Sequence, residues 1–315
     1  LALMPSKGEM VMAALADRFG ITKLFKQDGN VIVFADGGSC TDIGADAEFG
    51  ERRDTPPRGY EIAAGIAIIP ITGTLVNKLG TLRPYSGMTG YDGIRANYSM
   101  ALEDDEVKGI AFDMETPGGE VAGCFDLVDD IFNARGTKPT WAILSESAYS
   151  AGYAIASACD RIIVPRTGGT GSVGVICMHV DFSKALAAAG IEVTMITYGD
   201  RKADGNEYEP LKKAALERFQ ADVDTMGELF DETVARNRGM AASKVKATQA
   251  LTFMGAKGVE IGFADDVMSP NEAFRSLHTK LSNNTCTQLE SNPSRRWGRN
   301  VGSLSGKRTS RDGTD

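Results

Sequence analysis

Short apolar runs alternate with helix-like segments through the middle of the chain, and this alternation restricts the fold more than any other feature. The apolar runs are residues 62–71, 107–114, 140–144 and 161–164, and the segments with helical character between them are 92–103, 121–134 and 151–158. Residues 173–180, 183–189 and 191–197 continue the order as strand, helix and strand. Buried strands separated by helices are typical of a mostly parallel sheet with helices outside it. The sequence therefore predicts an α/β fold.

The segment before this alternation has a different composition. Residues 1–59 combine an amphipathic stretch at 8–19 and a strand-like run at 31–35 with a loop of Gly, Asp, Pro and Arg. Such a loop-like mixture favours turns and irregular structure. We interpret residues 1–59 as an arm or linker and place one domain at 60–278.

The C-terminal part is predicted to be a long helix followed by smaller elements and a tail. Apolar residues three to five apart indicate a helix at about 209–238, with Gly239 as its C-cap and Ser243 as the cap of the next helix. Residues 293–315 carry six basic residues against two acidic ones and almost no apolar content. We therefore expect residues 279–315 to be a disordered basic tail.

Composition excludes several classes of protein. The formal net charge of −8 argues against general nucleic-acid binding. Five scattered cysteines without a C-x-x-C pair suggest neither a zinc site nor a disulfide framework, and they fit a reducing compartment. The sequence has no uninterrupted apolar run of about 18 residues and no basic-then-apolar start. We therefore expect a protein without a membrane anchor that is not secreted.

Residues 145–164 contain the first candidate for chemistry, Ser150. A buried strand ends in a loop of small residues, and Ser150 lies where this loop becomes a helix. The first backbone N–H groups of a helix lack partners and lie at the positive end of its dipole, so a nucleophile is well placed there. Serine is also a common N-cap, and this stretch alone favours the cap.

The scarcity of histidine bears on what could activate a serine. The chain has only His179 and His278, and His278 lies near the expected tail. A lysine is the natural alternative, and Lys202 follows a predicted strand in a polar loop. A lysine base must be desolvated to bring its pKa toward neutrality. Most loop lysines are solvated, so the sequence does not decide between the two interpretations.

Two glycine motifs are ambiguous when taken alone. Pro117-Gly118-Gly119 follows a strand and could expose a backbone N–H to a negatively charged oxygen, or it could be an ordinary turn. Residues 169–174 match G-x-G-x-x-G, but they lead into a strand-like segment and not into a helix. A dinucleotide site requires the helix, so we interpret this segment as a tight loop that lines a site.

Several ordered motifs together resemble those of a known family. They are Asp113-Met-Glu-Thr-Pro-Gly-Gly119, Ser147-Ala-Tyr-Ser150-Ala-Gly152, Ala158-Cys-Asp160-Arg-Ile, Thr170-Gly-Ser-Val-Gly174, the Lys202 loop, Arg238-Gly-Met240 and residues 255–266. The stretch from about 60 to 270 resembles the signal peptide peptidase type of serine endopeptidase, a branch of the ClpP/crotonase-like fold. Residues 85–91 and 202–208 are most similar to the loops of the lambda-type phage head-maturation proteases, the minor capsid protein C group.

This resemblance implies a role for five residues. Ser150 matches the nucleophile of a Ser-Lys dyad, and Lys202 matches its general base. Ser172 matches a hydroxyl that helps to hold the lysine. The backbone N–H groups of Gly119 and Ala151 match the oxyanion hole, although the family often has glycine where this chain has Ala151. The resemblance implies neither a cofactor nor a metal.

The resemblance also implies partners and a location. It predicts a homo-oligomeric ring that cleaves scaffold, portal or capsid proteins in the prohead or in the host cytoplasm. Relatives of the lambda type continue into a scaffold segment, whereas the chain here ends in a short basic tail. Two alternatives remain open at this point: a crotonase-like enzyme acting on acyl-CoA, and a capsid component with an inactive site.

Overall fold

The structure, a computed structural model, describes residues 23–25, 31–33, 58–79 and 87–290, with side chains for residues 58–79 and 87–283. The helix predicted at 8–19 and the last part of the predicted tail, 291–315, lie outside the described residues. Within the predicted arm, a short antiparallel pair forms between residues 23–25 and 31–33, which agrees with the strand-like run at 31–35.

The elements follow one another from the arm to a last long helix. In chain order they are β1 (Lys23–Phe25), β2 (Val31–Val33), β3 (Glu61–Ala63), β4 (Ile66–Val76), β5 (Met88–Gly90), α1 (Tyr91–Glu103), β6 (Gly109–Gly119), α2 (Cys124–Asn133), β7 (Thr140–Ala148), α3 (Ala151–Ser157), β8 (Arg161–Val164), β9 (Gly169–Gly171), α4 (Ser183–Ala188), α5 (Lys213–Arg238), α6 (Ala242–Lys246), β10 (Thr252–Met254), α7 (Ala256–Ile261), β11 (Asp266–Val267) and α8 (Pro270–Glu290).

The main sheet is built around three adjacent parallel strands, β4, β6 and β7. Phe112 in the central strand lies opposite Ile69 on one side and Ala142 on the other. On its other edge, β7 pairs with two strands in turn: residues 141–143 pair with β8, and Ser147 pairs with β9. Antiparallel strands β3 and β10 lie at the two ends of the sheet. This mostly parallel sheet with flanking helices confirms the predicted α/β fold.

Helices cover both faces of the sheet, which explains why its central strands are apolar runs without a polar alternation. On one face, the fully buried side chains of Ile94, Leu127 and Ile155 bring α1, α2 and α3 into the main core. On the other face, α8 contributes Ala273 and Leu277 to a second core cluster that contains Trp141 and Ile143.

Helix α8 corrects the prediction of a tail from residue 279. The helix continues to Glu290, and Leu281 still packs on the sheet, so close that a Cβ on Gly109 would lie 2.8 Å from Leu281 Cδ1. The signal was present in the sequence, because Ala273, Leu277 and Leu281 are four residues apart and lie on one face of a helix. The polar residues between them hid this pattern.

The prediction of strands at 173–180 and 191–197 is wrong. Residues 173–182 and 191–197 have no regular secondary structure, and the side chains of Ile176 and Ile196 are 79% and 96% exposed. A strand needs a neighbouring edge for its backbone groups, and no described strand of the same chain pairs with either segment. Apolar, β-branched composition therefore indicated a strand that the single chain does not form.

The ends of the C-terminal helices differ in detail from the prediction. Helix α5 begins at Lys213 and not at 209, after Pro210, and Gly239 is its C-cap with φ of 64°, as predicted. Ser243 is not a cap: it lies inside α6, whose N-cap is Ala241.

Candidate active site

Ser150 occupies a sharp turn between β7 and α3. Its φ of 52° and ψ of −124° form a backbone conformation that non-glycine residues rarely adopt. Such a conformation costs about 1–3 kcal/mol and persists only where the surroundings enforce it. The Ser150 N–H donates to Gly171 O (2.9 Å), and the Ser150 carbonyl accepts from Ala154 N (2.9 Å). The backbone on both sides of the hydroxyl is therefore fixed.

The Ser150 hydroxyl does not serve as a helix cap. Ser150 stands at the N-cap position of α3, but its side chain makes no capping hydrogen bond. The interpretation that the sequence alone favoured is therefore wrong. The side chain is half-buried, and the strained turn presents its oxygen outside the hydrogen bonding of the helix. A serine on a strained strand-to-helix turn is the arrangement that exposes a nucleophile in other hydrolase folds.

Residues of β6 and β7 enforce this turn. Tyr149 N donates to Thr116 O (3.1 Å), which continues the strand pairing to the residue before the serine. The buried Thr116 hydroxyl donates to Gly73 O (2.6 Å) and accepts from Gly118 N (3.1 Å). Thr116 therefore connects β4, Gly118 and the turn at Ser150. The sequence did not reveal this role, because threonine is common in strands.

The Pro117-Gly118-Gly119 segment, called the glycine turn below, does not form a separate turn but ends strand β6, and it lies directly against Ser150. Gly118 has φ of 107°, and a Cβ placed on it would lie 2.6 Å from Ser150 Cβ and 3.2 Å from Ala151 N. No side chain fits between the two turns. The end of β6 and the serine turn are therefore in direct backbone contact.

Backbone N–H groups on the two sides of the serine turn differ in their partners. Glu120 N donates to Leu75 O (2.9 Å), which holds the end of β6 against β4. The N–H of Ala151, the first residue of α3, donates to no acceptor among the described residues. The N–H of Ala151 is therefore unpaired, next to Ser150 and at the positive end of the α3 dipole.

The far end of α3 is held by a side chain that the sequence did not single out. Arg135 donates to Ser157 O (2.9 Å), Ala158 O (2.8 Å) and Cys159 O (2.7 Å). A cation at the C-terminus of a helix complements its dipole and satisfies its last carbonyls. Arg135 is half-buried among these carbonyls, and this burial lowers the pKa of its guanidinium.

Ser172 lies near Ser150 through the backbone. It directly follows Gly171, the residue whose carbonyl accepts from Ser150 N, and its own N–H donates to Leu251 O (2.9 Å). Ser172 also has a positive φ, 56°, and is half-buried. This loop places the two serines on adjacent backbone segments.

Lys202 is not joined to this group within one chain. It lies in a series of turns between residues 199 and 206, its side chain is exposed, and its ammonium makes no hydrogen bond or ion pair with any described residue. The fold therefore brings together Ser150, the glycine turn, Ala151 and Ser172, and it leaves the fifth predicted residue in solvent.

Comparison with known proteins finds a family match that includes several residues of this site. Residues 133–283, which include Ser150, Ala151, Ser172 and Lys202, match the sequence model of peptidase family S49. The chain therefore contains a domain of that family, and the predicted family is confirmed.

No helix of the described residues is both long and apolar enough to cross a membrane.

Individual relatives agree with this class. The chain is 42% identical over 229 residues to the head-tail preconnector protein GP5 of Enterobacteria phage P21, covering 73% of this chain and 46% of that protein. It is 36% identical over 281 residues to the capsid assembly protease C of Escherichia phage lambda, covering 89% and 63%. Protease 4 of Haemophilus influenzae is 24% identical over 233 residues, covering 73% and 37%. The chain thus spans about half to two thirds of the length of the two phage relatives.

Proposed function

We propose that this chain is a serine endopeptidase of phage head assembly, with Ser150 as nucleophile and Lys202 as general base. The observation that carries the proposal is the Ser150 turn, with φ of 52°, a hydroxyl free of capping and Gly118 packed against its Cβ. Strain of this kind at a turn between a strand and a helix is a reason to infer function. The S49 domain match supports the same reaction.

The reaction follows from these groups. Neutral Lys202 Nζ takes the proton of Ser150 Oγ while the oxygen attacks the peptide carbonyl carbon. The N–H groups of Gly119 and Ala151 stabilise the tetrahedral oxyanion, and losing one such donor typically costs about 100- to 1000-fold in rate. The lysinium then protonates the leaving amine as the C–N bond breaks. A water molecule, deprotonated by Lys202, cleaves the ester and restores Ser150.

Lys202 needs a partner surface before it is an effective base. An exposed ammonium keeps its charge, and only burial or a nearby cation lowers the pKa of a lysine far enough. The irregular segments on either side of α4, which lead to Lys202, expose the side chains of Ile176, Ile196 and Tyr198 to an extent that is unusual for apolar residues. We propose that a second copy of the chain covers this surface in a homo-oligomeric ring, buries Lys202 and completes the dyad with Ser150.

The substrates that we propose are structural proteins of the phage head. One phage relative is named a capsid assembly protease and another a head-tail preconnector protein. We therefore propose that scaffold, portal or capsid proteins are cleaved within the prohead or in the host cytoplasm, without a cofactor, by a peptidase unit that begins near residue 60 and includes α8.

Covalent labelling tests the assignment of the dyad. The assembled protein is treated with a serine-reactive fluorophosphonate, and the labelling rate is compared with those of Ser150→Ala and Lys202→Ala. Ser243→Ala and Lys257→Ala are matched controls, because both residues are exposed and lie outside the segment that carries Lys202. We expect the wild-type labelling rate in both controls, no labelling of Ser150→Ala, and only a slow residual rate in Lys202→Ala.

The other outcomes identify the alternatives. An assembled wild-type protein that takes no label while thioester hydrolysis of an acyl-CoA survives Ser150→Ala would favour the crotonase-like enzyme. A protein with neither activity would be a structural capsid component. A fully active monomer, isolated by size fractionation, would refute the proposed role of the ring. Mixing Ser150→Ala and Lys202→Ala subunits restores labelling if serine and lysine come from different copies.

A further inference from the structure

The segment that carries Lys202 is a compact loop and not an open connection. Backbone N–H groups of Lys202, Asp204 and Asn206 each donate to the carbonyl three residues earlier, at 3.1, 3.1 and 3.2 Å. The side chain of Asn206 adds a bond from Nδ2 to Ala203 O (2.7 Å). Four hydrogen bonds thus close the loop on itself around Lys202, so its position depends on where the whole loop is attached.

The loop is attached to the first turns of the long helix α5. Asp204 forms an ion pair with Arg218, and the Asp204 side chain is only 16% exposed, although most of the loop faces solvent. Next to it, Gly205 has φ of 72° and lies under the ring of Phe219, so close that a Cβ would lie 2.8 Å from the ring. One ion pair and one backbone-on-ring contact therefore join the loop to two consecutive residues of α5.

Two further contacts limit rotation about this attachment. The His179 Nε2–H donates to Asn206 O (2.8 Å), and this bond ties the loop to the irregular segment that precedes α4. Asn206 Oδ1 accepts from the N–H groups of Tyr208 (2.9 Å) and Glu209 (3.0 Å), which fixes the path from the loop toward α5. The loop consequently moves with α5, an element of 26 residues.

We infer that Asp204 and Arg218 are positioning residues for Lys202, and this inference rests on the proposed function of Lys202 as the base. A catalytic group must be held close to its productive position, and misplacement by about 1 Å can cost about 100-fold in rate. The largely buried carboxylate of Asp204 fixes the loop to a rigid helix two residues from Lys202. Arg218 pairs with Asp204 and acts on Lys202 through this loop.

A double-mutant cycle tests the inference on the assembled protein. Arg218→Ala and Asp204→Asn are each expected to lower the fluorophosphonate labelling rate about 10- to 100-fold. Arg218→Lys, which keeps a cation for the single contact with Asp204, should recover most of the rate. If Arg218 acts only through Lys202, adding Arg218→Ala to Lys202→Ala should lower the residual rate no further. A purely structural role would lower the rate in both backgrounds.

A neighbouring ion pair provides the matched control. Glu217 precedes Arg218 on the same helix and pairs with Lys213 at 3.8 Å, with both side chains largely exposed. Glu217→Gln should leave labelling unchanged. Full labelling by both Arg218→Ala and Asp204→Asn, or an equal loss in the Lys202→Ala background, would overturn the inference. If Lys202→Ala itself labels normally, the proposed base is wrong, and that result is distinct from a failure of Asp204 and Arg218 alone.

Discussion

Replacement of Gly118 by alanine would insert a methyl group between the glycine turn and the serine turn. The added Cβ would lie 2.6 Å from Ser150 Cβ, 3.0 Å from Tyr149 O and 3.2 Å from Ala151 N. Non-bonded carbon atoms pack at about 3.5–4.0 Å, so the two turns must separate by about 1 Å. Both Ser150 Oγ and the donor at Ala151 would then move relative to the substrate carbonyl.

Two costs follow from this substitution. The φ of 107° is unfavourable for alanine and costs about 1–3 kcal/mol of stability, which a domain with about 5–15 kcal/mol in total tolerates. The displacement of about 1 Å at the reacting atoms costs about 100-fold in rate. Gly118→Ala should therefore give a folded protein whose labelling rate is about 100-fold lower.

Gly136→Ala separates these two costs. Gly136 also has a positive φ, 88°, but a Cβ on it would meet no atom within 4 Å. It should lose a similar amount of stability in thermal or urea unfolding and keep the wild-type labelling rate. Equal labelling rates for Gly118→Ala and Gly136→Ala would refute the argument that Gly118 fixes the serine turn.

Three further predictions concern the nucleophile, an ion pair and the last helix. Ser150→Gly should abolish labelling and yet unfold with about 1 kcal/mol more stability than Ser150→Ala, because glycine adopts φ of 52° without strain; equal stability in urea would contradict this. Asp265 accepts from Arg238 through both oxygens (2.8 and 3.0 Å), and although burial raises its pKa, the hydrogen bond and charge of Arg238 outweigh it and hold the pKa below its ordinary value of 3.8. The contribution of the Asp265 carboxylate to stability should be present above about pH 4 and lost as the pH falls further. In urea titrations, the stability difference between wild type and Asp265→Asn should therefore shrink toward pH 3. A difference that is independent of pH would refute this. Leu277→Ala should cost about 2–5 kcal/mol of unfolding free energy, since Leu277 is fully buried between α8 and the sheet; a loss below about 1 kcal/mol would show that α8 does not hold the fold together.

The central sheet and the serine turn were predictable because their signals are local. The runs around Ile69, Phe112 and Ala142 are apolar on both faces, and only a strand covered on both sides by helices accounts for such runs. The association of Gly118 with Ser150 came from motifs that the family resemblance supplied. The structure adds the positive φ of Ser150. The sequence does not indicate this backbone conformation, because serine is an ordinary N-cap residue.

The errors arise where the fold depends on contacts that the sequence does not specify. Helix α8 was not predicted at all, because only three leucine and alanine positions carry its apolar face among polar neighbours. The segments 173–180 and 191–197 have strand-like composition but no neighbouring strand edge among the described residues. The position of Lys202 could not be predicted for the same reason, because the partner that we propose for it is a second chain.

Identification of the modified residue tests the central claim most directly. The assembled protein is labelled with a fluorophosphonate, digested and mapped by mass spectrometry, in the wild type and in Lys202→Ala. We predict a single phosphonylated residue, Ser150, whose modification is slowed to a small residual rate when Lys202 is replaced. A phosphonyl group on another serine, or undiminished modification of Ser150 without Lys202, would contradict the account.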